Sequence, residues 1–328
     1  MKGVILVENS FVHPYMPNSV TENKKAMLDE LGINSVEDIY KSIIPDELLY
    51  KERLDIPEPI RSEYELKRHV MGILNRDITT EEYTSFLGAG CYKHQVPAIC
   101  DEINSRGEFL TDYCGDTYSD HGKMQAIFEY TSMMGELLDT DVVSYTTYDG
   151  GQAVASSLRM AVRAVREKGM AGKVILVPKT MNPEIYSQVV QYCRNVAEVR
   201  KIAYEPETGL MDLEELKEQL AKKNVAAVFF ENPTYLGNFE TRGEEIAKLA
   251  HDAGAYCVVQ TEVAALGIME SPVNQGADIV CGDIQPLGMH IQFGGGQAGF
   301  IACNQNMDLV EQFPTYMYGI TETEKEDT

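Results

Sequence analysis

The sequence lacks any excess of positive charge. Among its 328 residues, Lys and Arg total 28 and Asp and Glu total 51, so the formal net charge at pH 7 is -23. Nucleic acids and anionic membranes attract basic surfaces, and a chain this acidic is disfavoured by both. Its composition, 44% hydrophobic and 24% charged, lies outside the ranges of disordered and fibrous chains. We expect a folded protein with neither nucleic acid nor a membrane as its main partner.

Long hydrophobic runs and paired cysteines are also missing. Near the N-terminus the longest aliphatic run is Val4 to Val7, far shorter than a signal-peptide core or a membrane span. The seven cysteines include no CxxC pair, and an odd number suits a reducing compartment. We expect a cytoplasmic protein without disulfides. Cys91 and His94 have the spacing of half a metal site, but no second ligand pair follows, so no metal is expected.

Several catalytic signatures are absent. The sequence contains no Gly-x-Ser-x-Gly elbow, Walker loop or His-Glu-x-x-His helix, which disfavours hydrolases, NTPases and zinc proteases. Gly294, Gly296 and Gly299 match the dinucleotide pattern G-x-G-x-x-G, but that motif needs a helix after the glycines. A strand-like FIAC follows instead. We predict a turn at the rim of a site.

The pattern along the chain predicts an arm followed by an α/β domain. Residues 1–80 are polar, with helical stretches interrupted by prolines, and 321–328 form a polar tail at a possible truncation point. Between them, in 81–320, amphipathic helices alternate with short apolar strands, which predicts a mostly parallel sheet covered on both faces. The predicted strands are 173–177, 202–204, 225–230, 256–259, 278–281 and 299–302.

Capping-box patterns predict three helix starts. The pairs are Thr79 with Glu82, Asp212 with Glu215, and Thr241 with Glu244. In such a box each side chain bonds the backbone N–H of the other residue.

Two segments at predicted strand ends are candidates for ligand contact. Asp149, Gly150 and Gly151 lie between a strand and a helix, where backbone N–H groups would bind phosphate or carboxylate. An ordinary glycine turn with Asp149 as the helix cap explains the pattern equally well. Asn232 directly follows the 225–230 strand, although Asn-Pro is also a common turn.

Six ordered segments together resemble one known family. They are FLGAGCYKHQVPAI (86–99), SRGEF (105–109), MQAIFEY (124–130), TYDGGQAVA (147–155), NPTYLG (232–237) and GADIVCGDIQPLGMHIQFGGGQAGF (276–300). The chain is similar to the α-type subunits of the two-part P-protein of the glycine cleavage system, glycine dehydrogenase (decarboxylating) subunit 1. The resemblance extends from His13 to about residue 320.

This resemblance implies a fold and a set of partners. The expected fold is the large domain of the aminotransferase-like, fold type I pyridoxal-phosphate (PLP) enzymes, here without the family's C-terminal small domain. The expected partners are a β-type subunit that holds PLP, in a heterotetramer, and the lipoylated H-protein. The whole enzyme would decarboxylate glycine and transfer the aminomethyl group to the lipoyl arm.

A PLP enzyme needs a lysine for the cofactor aldehyde and an acidic partner for the ring nitrogen. No lysine occurs between Lys248 and Lys325, and Pro286 takes the lysine's place in our register. Of the three residues directly after the 256–259 strand, Gln260, Thr261 and Glu262, only Glu262 is acidic. We expect this chain to hold no covalent PLP.

The resemblance also indicates which residues complete a shared pocket. Tyr92, His94 and Tyr113 are the candidate catalytic residues, and Asp149, Gly150, Gly151 and Asn232 are candidates for a remnant or shared PLP pocket. His94 can also be interpreted as a purely structural histidine in a glycine turn. The loop 113–122 departs from the family pattern. That departure leaves two other functions open, an inactive scaffold or regulatory subunit and a decarboxylase subunit for another amino acid.

Overall fold

The computed structural model describes residues 12–50, 52, 54–86, 93–107, 121–169, 172–294 and 297–321. The chain divides between Ile78 and Thr79 into two compact units, residues 1–78 and 79–328. Of the expected site residues, Tyr92 and Tyr113 lie outside the described residues, as do most of the 113–122 loop and of the 321–328 tail.

The first unit consists of short helices. They are α1 (Thr21–Glu30), α2 (Val36–Lys41) and α3 (Glu63–Leu74), preceded by a 3-10 turn at Pro17–Ser19. Local signals account for two of the starts, because Ser35 and Asp38 form a capping box and Ser62 accepts a hydrogen bond from the Glu65 N–H. None of the described side chains of this unit is buried.

The second unit is built on a seven-stranded sheet with the order β1-β7-β6-β5-β4-β2-β3. β7 runs antiparallel to β1 and β6, and the other neighbours are parallel. The strands are β1 (Val142–Val143), β2 (Val174–Pro178), β3 (Glu198–Ile202), β4 (Val225–Asn232), β5 (Tyr256–Thr261), β6 (Ile279–Asp283) and β7 (Gly299–Cys303).

Helices cover both faces of this sheet. One apolar cluster joins it to α5 (His121–Leu138), α8 (Leu213–Leu220) and α9 (Gly243–Asp252). A second cluster on the other face joins it to α6 (Gly150–Glu167), α7 (Pro183–Cys193) and α10 (Met307–Val310). The short α4 (Ala98–Asn104) precedes this framework. The central strands β2 and β4 are buried along their whole length, as parallel strands covered on both faces must be.

The prediction of a mostly parallel, doubly covered α/β sheet is confirmed, but three local predictions are wrong. The strand predicted at 202–204 lies at Glu198–Ile202, because β3 is an edge strand with few buried residues to mark it. Residues 80–83 form a turn rather than a helix. α9 begins at Gly243 without a side-chain cap. Asp212 does cap α8, while Glu215 accepts a hydrogen bond from the Ala203 N–H and not from Asp212.

Candidate functional site

The N-terminus of α6 lies at the carboxyl edge of the sheet. Asp149 caps this helix, and its Oδ1 accepts a hydrogen bond of 2.6 Å from the Gln152 N–H. The Gln152 side chain in turn accepts a bond of 2.8 Å from the Tyr148 N–H. The interpretation of Asp149 as a helix cap is therefore confirmed. These bonds fix the loop between β1 and α6 from within.

Asp283, the last residue of β6, contacts the same helix end. Its Oδ2 accepts a hydrogen bond of 2.9 Å from the Gly150 N–H, and its Oδ1 accepts one of 2.7 Å from the Gln285 N–H. Burial raises the pKa of Asp283, against the lowering effect of these two N–H donors. The first turn of α6 thus faces a carboxylate that comes from 133 residues away in the chain.

Two glycines permit this close packing. A Cβ on Gly150 would lie 3.0 Å from the Asp283 Cβ. A Cβ on Gly299 would collide with the Thr147 hydroxyl and the Asp149 carbonyl, because Gly299 pairs with Thr147 through two backbone hydrogen bonds of 2.9 and 3.0 Å. The predicted turn at the site rim therefore includes a residue, Gly299, that belongs to β7.

A cleft of about 420 Å³ opens in front of this helix end. Asp149, Glu184 and Asp283 supply carboxylates to its wall, and no lysine or arginine is among its described lining residues. The other lining residues are Gly150, Gly151, Asn182, Ile185, Ser187, Gln188, Gln191, Gln260 and Gln297. The cleft has an acidic character.

A smaller cavity of about 90 Å³ shares Asn182, Gln260 and Asp283 with the cleft. At its base lies Glu231 of β4, whose carboxylate accepts hydrogen bonds from the Asn182 N–H at 3.1 Å and the Tyr235 N–H at 3.3 Å. Burial raises the pKa of Glu231 to about 7. Burial also raises the pKa of Glu262, and the nearby Asp283 adds to that rise.

His94 precedes α4, and α4 is attached to the loop that follows β6. Nε2 of His290 lies 3.0 Å from Oδ1 of Asp101 in α4. A Cβ on Gly288 would lie 2.9 Å from Sγ of Cys100, so this helix and loop are in close contact. His94 is half-buried, and burial lowers the pKa of its imidazole. The segment carrying His94 is thereby held beside the loop that contains Pro286.

The structure brings some of the predicted residues together and separates others. Asp149, Gly150 and Gly151 line the cleft, and Pro286 follows β6 in the 3-10 turn Gln285–Leu287. Asn232 is buried, and its side chain pairs with the backbone of Glu240 through bonds of 3.2 and 3.3 Å.

Sequence reasoning assigned no role to Asp283, Glu231 or Gln188. Acidic residues at the ends of β4 and β6 were the available signal, since ligand contacts concentrate at the carboxyl ends of strands. Nothing in the local sequence indicated Gln188, which lies in the middle of α7.

The cleft does not fit a PLP molecule. The described residues that line it include no lysine, and Pro286 lacks the amine that an imine requires. The helix end that would receive the phosphate already contacts two carboxylates. Among the described residues, no group of three His, Cys, Asp or Glu side chains is arranged to hold a metal ion. No helix in the described ranges is long and apolar enough to cross a membrane.

The family model of the glycine cleavage system P-protein matches residues 13–328. Two curated relatives are called probable glycine dehydrogenase (decarboxylating) subunit 1. The chain is 35% identical to the one from Staphylothermus marinus over 320 residues and 38% identical to the one from Pyrococcus horikoshii over 309 residues. Each match covers 94% of this chain and 66% of the relative. The chain thus spans about two thirds of the length of these relatives.

Solved structures agree with this match. A crystal structure of inhibitor-bound glycine decarboxylase (P-protein) superimposes with a TM-score of 0.78 at 30% identity, over 96% of this chain and 67% of that one. The sphingosine-1-phosphate lyase of Burkholderia pseudomallei has a TM-score of 0.57 at 14% identity, over 82% of this chain and 64% of the lyase, and shows the fold alone. The expected α/β fold of the PLP-dependent transferases is confirmed.

Proposed function

Because the chain belongs to the glycine cleavage system P-protein family, we propose that it is the subunit of a two-part glycine decarboxylase that carries no cofactor lysine. In this proposal PLP is held by a β-type partner, and the complex decarboxylates glycine and passes the aminomethyl group to a lipoylated H-protein. The present chain completes the partner's pocket with its own loops.

The observation that carries this proposal is the residue that follows β6. Pro286 lies in the turn Gln285–Leu287, three residues after Asp283, where our register places the cofactor lysine of the β-type subunit. Proline has no primary amine, and no lysine occurs from residue 249 to 324. PLP supplies an electron sink when it is bound in such enzymes. In this proposal the present chain instead positions the substrate and transfers protons.

His94 is the described residue we propose for that contribution. Desolvation of its half-buried ring lowers its pKa, so the imidazole is neutral near pH 7. A neutral imidazole can accept a proton from a substrate ammonium or orient a carboxylate through its N–H. We propose Tyr92 and Tyr113 as further pocket residues, both from segments outside the described ranges. In this proposal the remnant cofactor pocket is formed by Asp149, Gly150, Gly151 and Asn232.

Reconstitution with a β-type subunit tests the division of labour. The two chains would be purified separately, loaded with PLP and treated with borohydride, which fixes any internal imine to its lysine. We expect a stoichiometric adduct at a single lysine only on the partner, and glycine-dependent exchange of bicarbonate only when both chains are present. A stoichiometric adduct at one lysine of this chain would overturn the proposal.

The role of His94 is tested in the same complex. We expect His94→Ala to lower the exchange rate by roughly tenfold to a hundredfold, since general acid–base groups contribute about that much or more. His94→Gln keeps an N–H donor and should restore part of any positioning effect. The matched control is His251→Ala. This histidine lies on α9 and pairs with Asp278, which directly precedes β6, whereas the His94 segment is held beside the loop that follows β6. Equal rates for His94→Ala and this control would exclude His94.

One observation favours a second function. The loop 113–122 departs from the family pattern, which suits either an inactive scaffold or regulatory subunit or a decarboxylase for another amino acid. Assembly with the partner but no exchange with glycine, or exchange with a different amino acid, would distinguish these alternatives.

A further inference from the structure

The N-terminal end of α6 has the properties of an anion site. The helix is 18 residues long, and the first N–H groups of a helix have no partner within it and carry partial positive charge. Such an end commonly binds a phosphate. In the present chain, Gly150 donates its N–H to Asp283 at 2.9 Å and Gln152 donates its N–H to Asp149 at 2.6 Å. Two of the first three amides therefore already bind carboxylates.

The remaining amide of this first turn belongs to Gly151, and a side chain of α7 packs against that residue. A Cβ on Gly151 would collide with Oε1 of Gln188, so this side chain of α7 lies directly over the glycine. Nε2 of Gln188 lies 3.4 Å from Oδ2 of Asp149. Gln188 therefore occupies the space beside Gly151, and a phosphate bound at this helix end would have to share that space with it.

The Asp283 carboxylate is held at both of its oxygens. One carboxylate oxygen accepts a bond from the α6 terminus and the other accepts a bond from Gln285. Its backbone lies in β6, paired with Gly299 of β7. The nearest charged groups in the cleft wall are also acidic, Asp149 and Glu184. A phosphate entering this cleft would meet like charge without a compensating cation from the described lining residues.

We propose that the Asp283 carboxylate permanently takes the place of a ligand phosphate at the α6 terminus, so that this chain excludes phosphorylated cofactors independently of its missing lysine. In this proposal the Asp283 carboxylate occupies the helix end of the folded chain. The inference extends the proposed function, which also assigns the cofactor to the partner, but it concerns the isolated chain alone.

The test measures phosphate affinity on the full chain. Titration calorimetry with pyridoxine 5′-phosphate, which has the phosphate but no aldehyde, avoids adducts with surface lysines. We expect no saturation of the unmodified chain, which sets a lower limit on its Kd, and a Kd at least about tenfold below that limit for Asp283→Ala, because a carboxylate is removed and a helix amide is released. Asp283→Asn keeps an acceptor for Gly150 and should gain only about twofold to fivefold, since it removes charge alone.

The matched control is Glu184→Gln. It removes one carboxylate from the same cleft without touching the α6 amides, and Glu184 is exposed. We expect less than a twofold gain. Thermal melts establish that each variant folds. If Asp283→Ala does not fold, the phosphate affinity of Asp283→Asn is compared with that of Glu184→Gln instead. Saturable binding to the unmodified chain, or equal affinities for the Asp283 variants and the control, would overturn the inference.

The outcome is independent of the reconstitution experiment. If Asp283→Ala gains phosphate affinity while the paired chains show no glycine-dependent exchange, the proposed function fails and this inference stands. If the paired chains do show glycine-dependent exchange while Asp283→Ala gains no phosphate affinity, the proposed function stands and Asp283 does not exclude phosphate.

Discussion

The two units of this chain use their apolar residues in opposite ways. In the sheet unit, the large side chains form two clusters, one on each face, and residues such as Phe229, Phe300 and Leu158 are completely buried. In the first unit, none of the described side chains is buried, and its large apolar residues, among them Tyr15, Leu48 and Tyr64, are exposed. Among the described residues of the first unit, helix signals therefore define local structure without buried side chains to stabilise it.

The largest expected effect comes from emptying the sheet core. Phe229→Ala in β4 should lower the free energy of unfolding by about 3–5 kcal/mol, because a buried ring is lost and a cavity remains. Tyr64→Ala in α3 removes an exposed ring and should change it by less than about 0.5 kcal/mol. Denaturant titration measures both. Similar losses for the two variants would show that the first unit has an interior of its own.

A pH dependence of stability is expected from Glu231. Its pKa is raised to about 7 in the folded chain and is close to 4.3 when unfolded. The folded state therefore holds the proton more tightly, and stability is lost as pH rises from about 4.5 through 7. The loss attributable to this group is at most roughly 4 kcal/mol, because the two pKa values differ by about 2.7 units at about 1.4 kcal/mol for each unit.

Glu231→Gln should remove this part of the pH dependence while keeping an acceptor for the Asn182 N–H. Urea titrations of both chains at several pH values between 5 and 8 check it. If the unmodified chain becomes more stable with rising pH and the variant does not change that slope, the assignment to Glu231 is wrong.

A methyl group added to glycine should act differently in the two units. A Cβ on Gly282 in β6 would collide with the Thr261 carbonyl and press on the Phe300 ring, so Gly282→Ala should destabilise by about 1–3 kcal/mol. Gly72 in α3 has no neighbour within 4 Å of that position, and Gly72→Ala should favour its helix by up to about 1 kcal/mol. Far-ultraviolet circular dichroism and thermal melts distinguish the two signs.

The smallest effect is expected at the helix caps. Asp212 accepts bonds of 3.0 and 3.1 Å from the N–H groups of Glu214 and Glu215, and Asp212→Ala should cost about 1 kcal/mol. Ser35 caps α2, which has no buried residue. Ser35→Ala should fray that helix in hydrogen exchange and leave the cooperative unfolding of the sheet unit unchanged. A shift of that main transition would show that the unfolding of the two units is coupled.

Much of the fold could be predicted from local patterns. Each of β2, β4, β5 and β7 contains a run of four or more apolar residues, and each predicted start lies within one residue of the observed start. β3 was misplaced, because an edge strand with exposed residues such as Glu198 leaves no apolar run. For the first unit the sequence predicts only a polar, helical arm, since helix periodicity does not reveal whether a partner surface exists.

The sequence by itself determined the alternation of helix and strand, the acidic charge, the absence of a lysine from residue 249 to 324 and the six segments that mark the family. These properties depend on residue identity and short spacings, which need no knowledge of distant neighbours. The tertiary structure decided which carboxylate meets the α6 terminus, which glutamine covers Gly151 and which loop holds α4. Such contacts join residues far apart in the chain, and their partners are set by strand order and helix packing.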